Sequence, residues 1–99
     1  MRITKDNATF SQNKFNFYVG NIDTTETILI DSSFIIVGDI KTSKNILAEH
    51  DLIVMGDIEA KSIYADKDFL CIGEVKCPNL QTYGIRLQGF VSSWCSVSG

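Results

Sequence analysis

The sequence contains few of the residues that catalysis, metal binding or membrane insertion require. Its 99 residues include one histidine, one proline and three cysteines, and the formal net charge is only -3. The histidine, His50, lies in the polar turn Glu49-His50-Asp51, and no nucleophile motif such as Gly-x-Ser-x-Gly accompanies it. No glycine-rich phosphate loop occurs either. We therefore expect no enzymatic activity, no bound metal and no cofactor.

Further absences concern the compartment and the partners. No run of eighteen apolar residues is present, and the first residues lack the apolar segment of a signal peptide, which predicts a cytoplasmic protein without a membrane span. Cys71, Cys77 and Cys95 are an odd number at spacings that match no zinc site, so we expect reduced thiols. The mild net charge argues against direct binding of nucleic acid.

What the sequence does contain is a repeat. The segment FIIVGDI, residues 34–40, returns eighteen residues later as LIVMGDI, residues 52–58. A fixed period of this kind indicates stacked structural units, each of which buries its apolar face against a neighbour. The equivalent glycines of the chain follow one another at spacings of 18, 18, 17 and 16 residues: Gly20, Gly38, Gly56, Gly73 and Gly89.

Within each unit, aliphatic residues recur about every six positions, which predicts three strands per coil. In Ile40-Lys41-Thr42, strand alternation places Ile40 and Thr42 inward and Lys41 outward. The predicted fold is all-β: a short single-stranded parallel β-helix, or β-solenoid, of about five coils of 16–18 residues with capped ends. Residues 1–16 are assigned to an N-terminal cap segment, 17–91 to the β-helix and 92–99 to a C-terminal cap or tail.

Two details of this fold follow from the repeat. The glycines are expected to form one column of corners, because glycine accepts turn conformations at little steric cost. The residues missing from the 17- and 16-residue coils are expected in the turn before the third strand, where deletions are tolerated best.

Aromatic residues near the two termini are expected to act as caps: Phe10, Phe15 and Trp94.

Two other folds are alternatives. A β-sandwich of short strands would share the strand pattern. A left-handed hexapeptide helix needs a small residue four positions after each aliphatic one, and Lys44 follows Ile40 at that distance. The hexapeptide helix therefore fits poorly.

The glycine corners resemble those of a known family. Gly38-Asp39-Ile40, the longer motif at 56–60 and Gly73-Glu74-Val75 are similar to the G-D-I-x-A coils of bactofilins, the polymer-forming bacterial cytoskeletal proteins. The resemblance covers about residues 17–91. It implies a right-handed β-helix that polymerises end to end without a nucleotide, and therefore a non-enzymatic, self-associating scaffold.

The first strand of each coil is unusual because both of its faces are apolar. Such runs are typical of strands that are buried on both sides, and we expect the outward face to be a protein interface of roughly several hundred Å². The alternative is that residues 1–16 fold back across this face. The outward residues form two columns: Phe17, Ile35, Ile53 and Leu70 in one, and Val19, Val37, Met55 and Ile72 in the other.

The remaining outward positions are less specific. The second strand presents charges of alternating sign, which are typical of a solvated face; they are Asp23, Lys41, Glu59 and Lys76. Carboxylates also recur at the corners, where aspartate suits a tight turn. Cation binding, or imitation of the phosphates of a nucleic acid, is the alternative role for these carboxylates.

Two classes of function remain after this reading. The first is a protein-protein interaction module or self-associating scaffold, whose partner is itself, as a homodimer or higher oligomer, or another protein. The second is a small phage-encoded inhibitor that binds a bacterial defence complex of the CRISPR type through its apolar sheet or its acidic edge. The oligomeric state across concentration distinguishes the two classes.

Overall fold

The structure is a computed structural model that describes residues 1–82 in full and the backbone of residues 86–91 and 96–98. These residues form fifteen strands and one 3-10 turn, Lys5–Asn7. Across the same ranges no helix is long and apolar enough to cross a membrane. In chain order the strands are β1 (Arg2–Ile3), β2 (Phe10–Gln12), β3 (Phe15–Val19), β4 (Ile22–Thr24), β5 (Ile28–Ile30), β6 (Phe34–Val37), β7 (Ile40–Thr42), β8 (Asn45–Ala48), β9 (Leu52–Val54), β10 (Ile58–Glu59), β11 (Ser62–Ala65), β12 (Phe69–Lys76), β13 (Asn79–Thr82), β14 (Arg86–Val91) and β15 (Ser96–Ser98).

Successive coils stack through parallel strand pairs and form a β-solenoid, which confirms the predicted fold. The first sheet contains β3, β6, β9 and the start of β12; the second contains β4, β7, β10 and the end of β12; the third contains β5, β8, β11 and β13. These strands make four complete coils. β14 pairs with β12 and β15 pairs with β13, so the described backbone continues into a fifth coil.

The interior is a stack of aliphatic side chains, one layer per coil. Ile40, Ile46, Leu52 and Ile58 are each at most 1 % exposed, as the six-residue period predicts. Alternate residues of each strand point into this core, because successive side chains of a strand lie on opposite sides. The buried Thr42 hydroxyl donates a hydrogen bond to the carbonyl oxygen of Glu26, so its burial leaves no unmet polar group.

The glycines stack at one corner, as predicted. A methyl group added to Gly73 would lie 2.6 Å from the carbonyl oxygen of Gly56, and one added to Gly56 would lie 2.5 Å from that of Gly38. Real side chains do not approach a backbone this closely. Gly38 also adopts a φ of 155°, which side chains disfavour. Close contact between coils therefore requires glycine at this corner.

The shorter coils lose their residues in two different places. Ile58 pairs with Ile40, eighteen residues earlier, whereas Ser62 pairs with Asn45, seventeen residues earlier. One residue is therefore lost in the turn before the third strand, as predicted. The 16-residue coil also lacks that residue, because Asn79 pairs with Ser62, seventeen residues earlier. Its second missing residue is not lost in this turn, and that part of the prediction is wrong. This residue is lost at the glycine corner, where β14 has one residue fewer than β12. The pairing register between the two strands shifts there, between Cys71 and Glu74.

The N-terminal segment adds strands to the end of the first coil. β1 pairs with β5 in parallel, and β2 pairs with β3 in the antiparallel direction after a turn in which Asn13 has a φ of 58°. Ile3 is buried and Ala8 packs on the core. The terminal ammonium of Met1 donates a hydrogen bond of 2.8 Å to the carbonyl oxygen of Thr27. The chain's own first residues therefore cover the first and third sheets at this end of the coil stack.

The predicted C-terminal segment, 92–99, is described only at 96–98, where β15 continues the third sheet. Trp94, the predicted cap, lies outside the described residues, and so does Cys95.

Candidate protein-binding surface

An apolar surface lies on the outward side of the first sheet. We call it the outer apolar sheet and define it by two columns of four residues. In the first column, strand pairing aligns Phe17 with Ile35, Ile35 with Ile53, and Ile53 with Leu70. The second column lies beside it, directly before the glycine corner, and consists of Val19, Val37, Met55 and Ile72.

The two columns differ in exposure. Val19, Val37, Met55 and Ile72 are 40–52 % exposed, whereas the side chains of the first column are half-buried. None of the described residues forms a second layer that covers either column. Residues 1–16 do not fold back across the face, because their strands pair at the end of the first and third sheets.

The N-terminal segment extends this surface. Phe10 pairs with Phe17 across the β2–β3 hairpin, and their rings stack with centroids 4.5 Å apart. Phe10 remains 47 % exposed, so it continues the first column by one residue beyond the first coil. Phe10 was predicted only as a cap residue, and its place on the outer apolar sheet was not predicted. The alternation of Phe15, Asn16 and Phe17 predicts a strand, but it gives no signal for the antiparallel return that places Phe10 here.

A hydrogen-bond ladder borders the sheet along the glycine corner. The side-chain oxygen Oδ1 of Asn21 accepts the backbone N–H of Asp39 at 2.9 Å, that of Asp39 accepts the N–H of Asp57 at 2.8 Å, and that of Asp57 accepts the N–H of Glu74 at 2.9 Å. The residues after the first three corner glycines therefore each bind the next coil. Turn preference was the predicted reason for these carboxylates, and the hydrogen bonds between coils were not predicted.

The opposite edge of the sheet, before the first strand of each coil, has mixed charge. Asp51 Oδ1 accepts the backbone N–H of Asp68 at 3.1 Å, which is a second, shorter ladder. The exposed side chains of Lys14, His50 and Lys67 lie at the turns of this edge. Both edges of the outer apolar sheet therefore carry carboxylates. The edge before the first strand adds exposed lysines to its own carboxylates, which include Glu49, Asp51, Asp66 and Asp68.

The second sheet carries its predicted column of alternating charges. Asp23 aligns with Lys41, Lys41 with Glu59, and Glu59 with Lys76. The Lys76 ammonium lies 3.4 Å from a carboxylate oxygen of Glu74 in its own coil. A polar depression of about 200 Å³ lies among these groups. It has the character of a solvated surface.

The third sheet has a smaller apolar column. Leu29 aligns with Leu47, and Leu47 with Tyr64. Leu29 and Tyr64 are about 40 % and 39 % exposed, and a depression of about 260 Å³ lies beside them. This column has one residue per coil, where the outer apolar sheet has two.

Among the residues described with their side chains, the two thiols and the histidine lie in different environments. Burial raises the pKa of the Cys71 thiol from 9.0 to about 11, which makes it a poor nucleophile at neutral pH. The Cys77 thiol is buried and donates a hydrogen bond to the Asn79 carbonyl oxygen. His50 is exposed in its turn. Within the described residues, no three side chains of His, Cys, Asp or Glu are arranged to hold a metal ion.

No family model, no curated protein and no solved structure matches this chain. The relationship to bactofilins therefore stays a prediction.

Proposed function

We propose that this chain is a non-enzymatic structural module that associates with protein through its outer apolar sheet. One observation carries the proposal: four aliphatic side chains, one per coil, are 40–52 % exposed in a single column beside a second apolar column. Burying apolar surface contributes about 25 cal/mol per Å². A contiguous patch of roughly several hundred Å² is of the size that marks interaction sites on monomers.

The contact we propose is lateral. The resemblance to bactofilins implies end-to-end stacking, in which one coil adds to the exposed edge of another. At the N-terminal end of this solenoid, β1 and the antiparallel β2 already occupy the edges of the third and first sheets. Irregular or covered edges oppose strand addition. The side of the solenoid, in contrast, presents a flat apolar sheet that needs only a complementary surface.

The test is a charge at the centre of the sheet. In Ile53→Lys, an ammonium replaces a half-buried aliphatic group that has Ile35 and Leu70 as its column neighbours. We expect the variant to keep its β-sheet circular dichroism and its melting temperature, because position 53 faces away from the core. It should lose association in sedimentation velocity runs over a wide range of concentration, because an unpaired charge resists burial.

A matched control comes from the same coil. Tyr64→Lys introduces the same ammonium at an outward, 39 % exposed position on the third sheet. This variant should associate as the wild type does. If Ile53→Lys unfolds the chain while Tyr64→Lys does not, the outer apolar sheet is part of the core. If the wild type is monomeric at every concentration, self-association is refuted.

A further inference from the structure

We infer that the third sheet carries a second binding site, which takes an arginine side chain from an extended basic segment of a partner protein. The inference goes beyond association through the outer apolar sheet and does not depend on it. It is drawn from the depression on the third sheet, from the carboxylates that line it, and from a contact that the chain's own Arg2 already makes.

The site is a groove with an apolar side and an acidic side. Each strand of the third sheet places an outward apolar residue two positions before a carboxylate, and residues two apart lie on the same side of a strand. The pairs are Leu29 and Asp31, Leu47 and Glu49, and Tyr64 and Asp66. The depression of about 260 Å³, which we call the third-sheet groove, is lined by members of both columns, and no cationic residue is among the described residues that line it: Leu29, Leu47, Ala48, Glu49, Tyr64 and Asp66.

Arg2 shows how a guanidinium binds at this surface. β1 pairs with β5 so that Arg2 aligns with Leu29 and continues the apolar column by one residue. From there, its Nε and Nη2 atoms each lie 3.3 Å from Oδ2 of Asp31, in the neighbouring coil. The chain itself therefore pairs a guanidinium from the apolar column with a carboxylate of the acidic column.

The next two carboxylates of the acidic column have no such partner. Glu49 and Asp66 are both exposed, and neither forms a salt bridge within the described residues. Their positions in successive coils are about 4.8 Å apart. Two like charges at this separation repel each other, and a cation placed between them relieves that repulsion.

The other charges near the groove leave its acidic side net negative. The turn after the third strand carries five carboxylates: Asp31, Glu49, Asp51, Asp66 and Asp68. Three cationic side chains are described there, and one of them is already paired with Asp31; they are Arg2, Lys14 and Lys67. Lys44 and Lys61 lie at the opposite edge of the sheet, three residues before Leu47 and Tyr64, which is about 10 Å along a strand.

Arginine suits this groove better than lysine does. The guanidinium is planar and has five N–H donors, so it is able to bridge Glu49 and Asp66 in a way that an ammonium does not match. Its flat face stacks favourably on an aromatic ring, and the ring of Tyr64 is 39 % exposed beside Asp66. The aliphatic stem of arginine is apolar and suits contact with Leu47.

The first measurement compares two peptides of equal charge, acetyl-Gly-Arg-Gly-Arg-Gly-amide and its lysine counterpart. In NMR titrations of the isotope-labelled chain at about 0.1 M salt, the arginine peptide should shift the backbone amides at the groove and bind about 3–10-fold more tightly than the lysine peptide. Tyr64→Leu keeps an apolar side chain but removes the ring, so it should reduce this preference to less than about twofold.

Two double variants distinguish the groove from the overall charge. Glu49→Gln/Asp66→Asn should weaken binding of the arginine peptide about 5–30-fold, since two charge contacts are lost. Asp23→Asn/Glu59→Gln removes the same two charges from the outward side of the second sheet, and it should weaken binding less than about twofold because distant charges are screened. Equal losses in the two double variants, equal affinity for the two peptides, or no binding at about 10 mM peptide would each overturn the inference. Association through the outer apolar sheet is measured without peptide, so either result can fail without the other.

Discussion

Replacing Asp57 with alanine removes a single rung of the ladder at the glycine corner. Asp57 Oδ1 accepts the Glu74 N–H at 2.9 Å, while the N–H of Asp57 itself is held by Asp39. A hydrogen bond to a charged group contributes about 1.5–3 kcal/mol. Because Asp57 is exposed, water is able to replace part of the lost contact, so we expect a loss of about 1–1.5 kcal/mol in the free energy of unfolding. For a chain of this size, that corresponds to a melting temperature about 4–10 °C lower.

The chain offers its own control for this prediction. Asn21 occupies the same corner position in the first coil, and its amide oxygen accepts the Asp39 N–H at 2.9 Å. Asp57→Asn keeps an acceptor in the same place, so it should retain stability within about 0.5 kcal/mol. Urea unfolding followed by circular dichroism gives the free energies, and hydrogen exchange of the Glu74 amide reports on the rung itself. If Asn is as damaging as Ala, the carboxylate acts through its charge and the ladder argument is refuted.

Three further predictions concern the core and the corners. Ile46→Ala should lower the free energy of unfolding by about 2–5 kcal/mol in urea titrations, because Ile46 is completely buried; a loss below about 1 kcal/mol would place it outside the core. Gly56→Ala should cost about 1–3 kcal/mol or more by the same assay, since its methyl group would meet the Gly38 carbonyl oxygen at 2.5 Å. Because the pKa of Cys71 rises from 9.0 to about 11 on folding, the folded chain binds this proton more tightly, so stability should be unaffected below pH 9 and fall as pH rises toward 11. Cys71→Ala should lack that component of the alkaline loss, and equal losses in both proteins would contradict the assignment.

Much of the fold was predictable because solenoid packing repeats one local rule. The inward position of Ile40 and Ile58 follows from strand alternation, and the column of Gly38, Gly56 and Gly73 follows from a spacing near eighteen residues. Each coil contacts only its neighbours, so a pattern read in one coil applies to the next. The register prediction failed only for the second residue missing from the 16-residue coil, which is lost at the glycine corner between β12 and β14.

The features that were not predictable depend on side-chain direction or on non-repeated residues. The alternation of Phe15 and Phe17 does not reveal that β2 returns antiparallel to β3 and places Phe10 on the outer apolar sheet. Likewise, the sequence shows that a polar residue, Asp39, follows Gly38. It does not show whether the Oδ1 atom of Asp39 accepts a hydrogen bond from its own coil or from the next coil. The closure of the first coil by residues 1–12 is a third example, since that segment has no counterpart in the repeat.

The ladder also separates the structural role of the corner residues from their charge. The hydrogen bond to the next coil needs only an oxygen acceptor, and Asn21 supplies one without a charge. Asp39 and Asp57 supply the same acceptor together with a negative charge, and stacked carboxylates about 4.8 Å apart repel one another. Folding alone would therefore be served as well by asparagine at both positions. The charge of this corner is the part of the ladder that folding does not require.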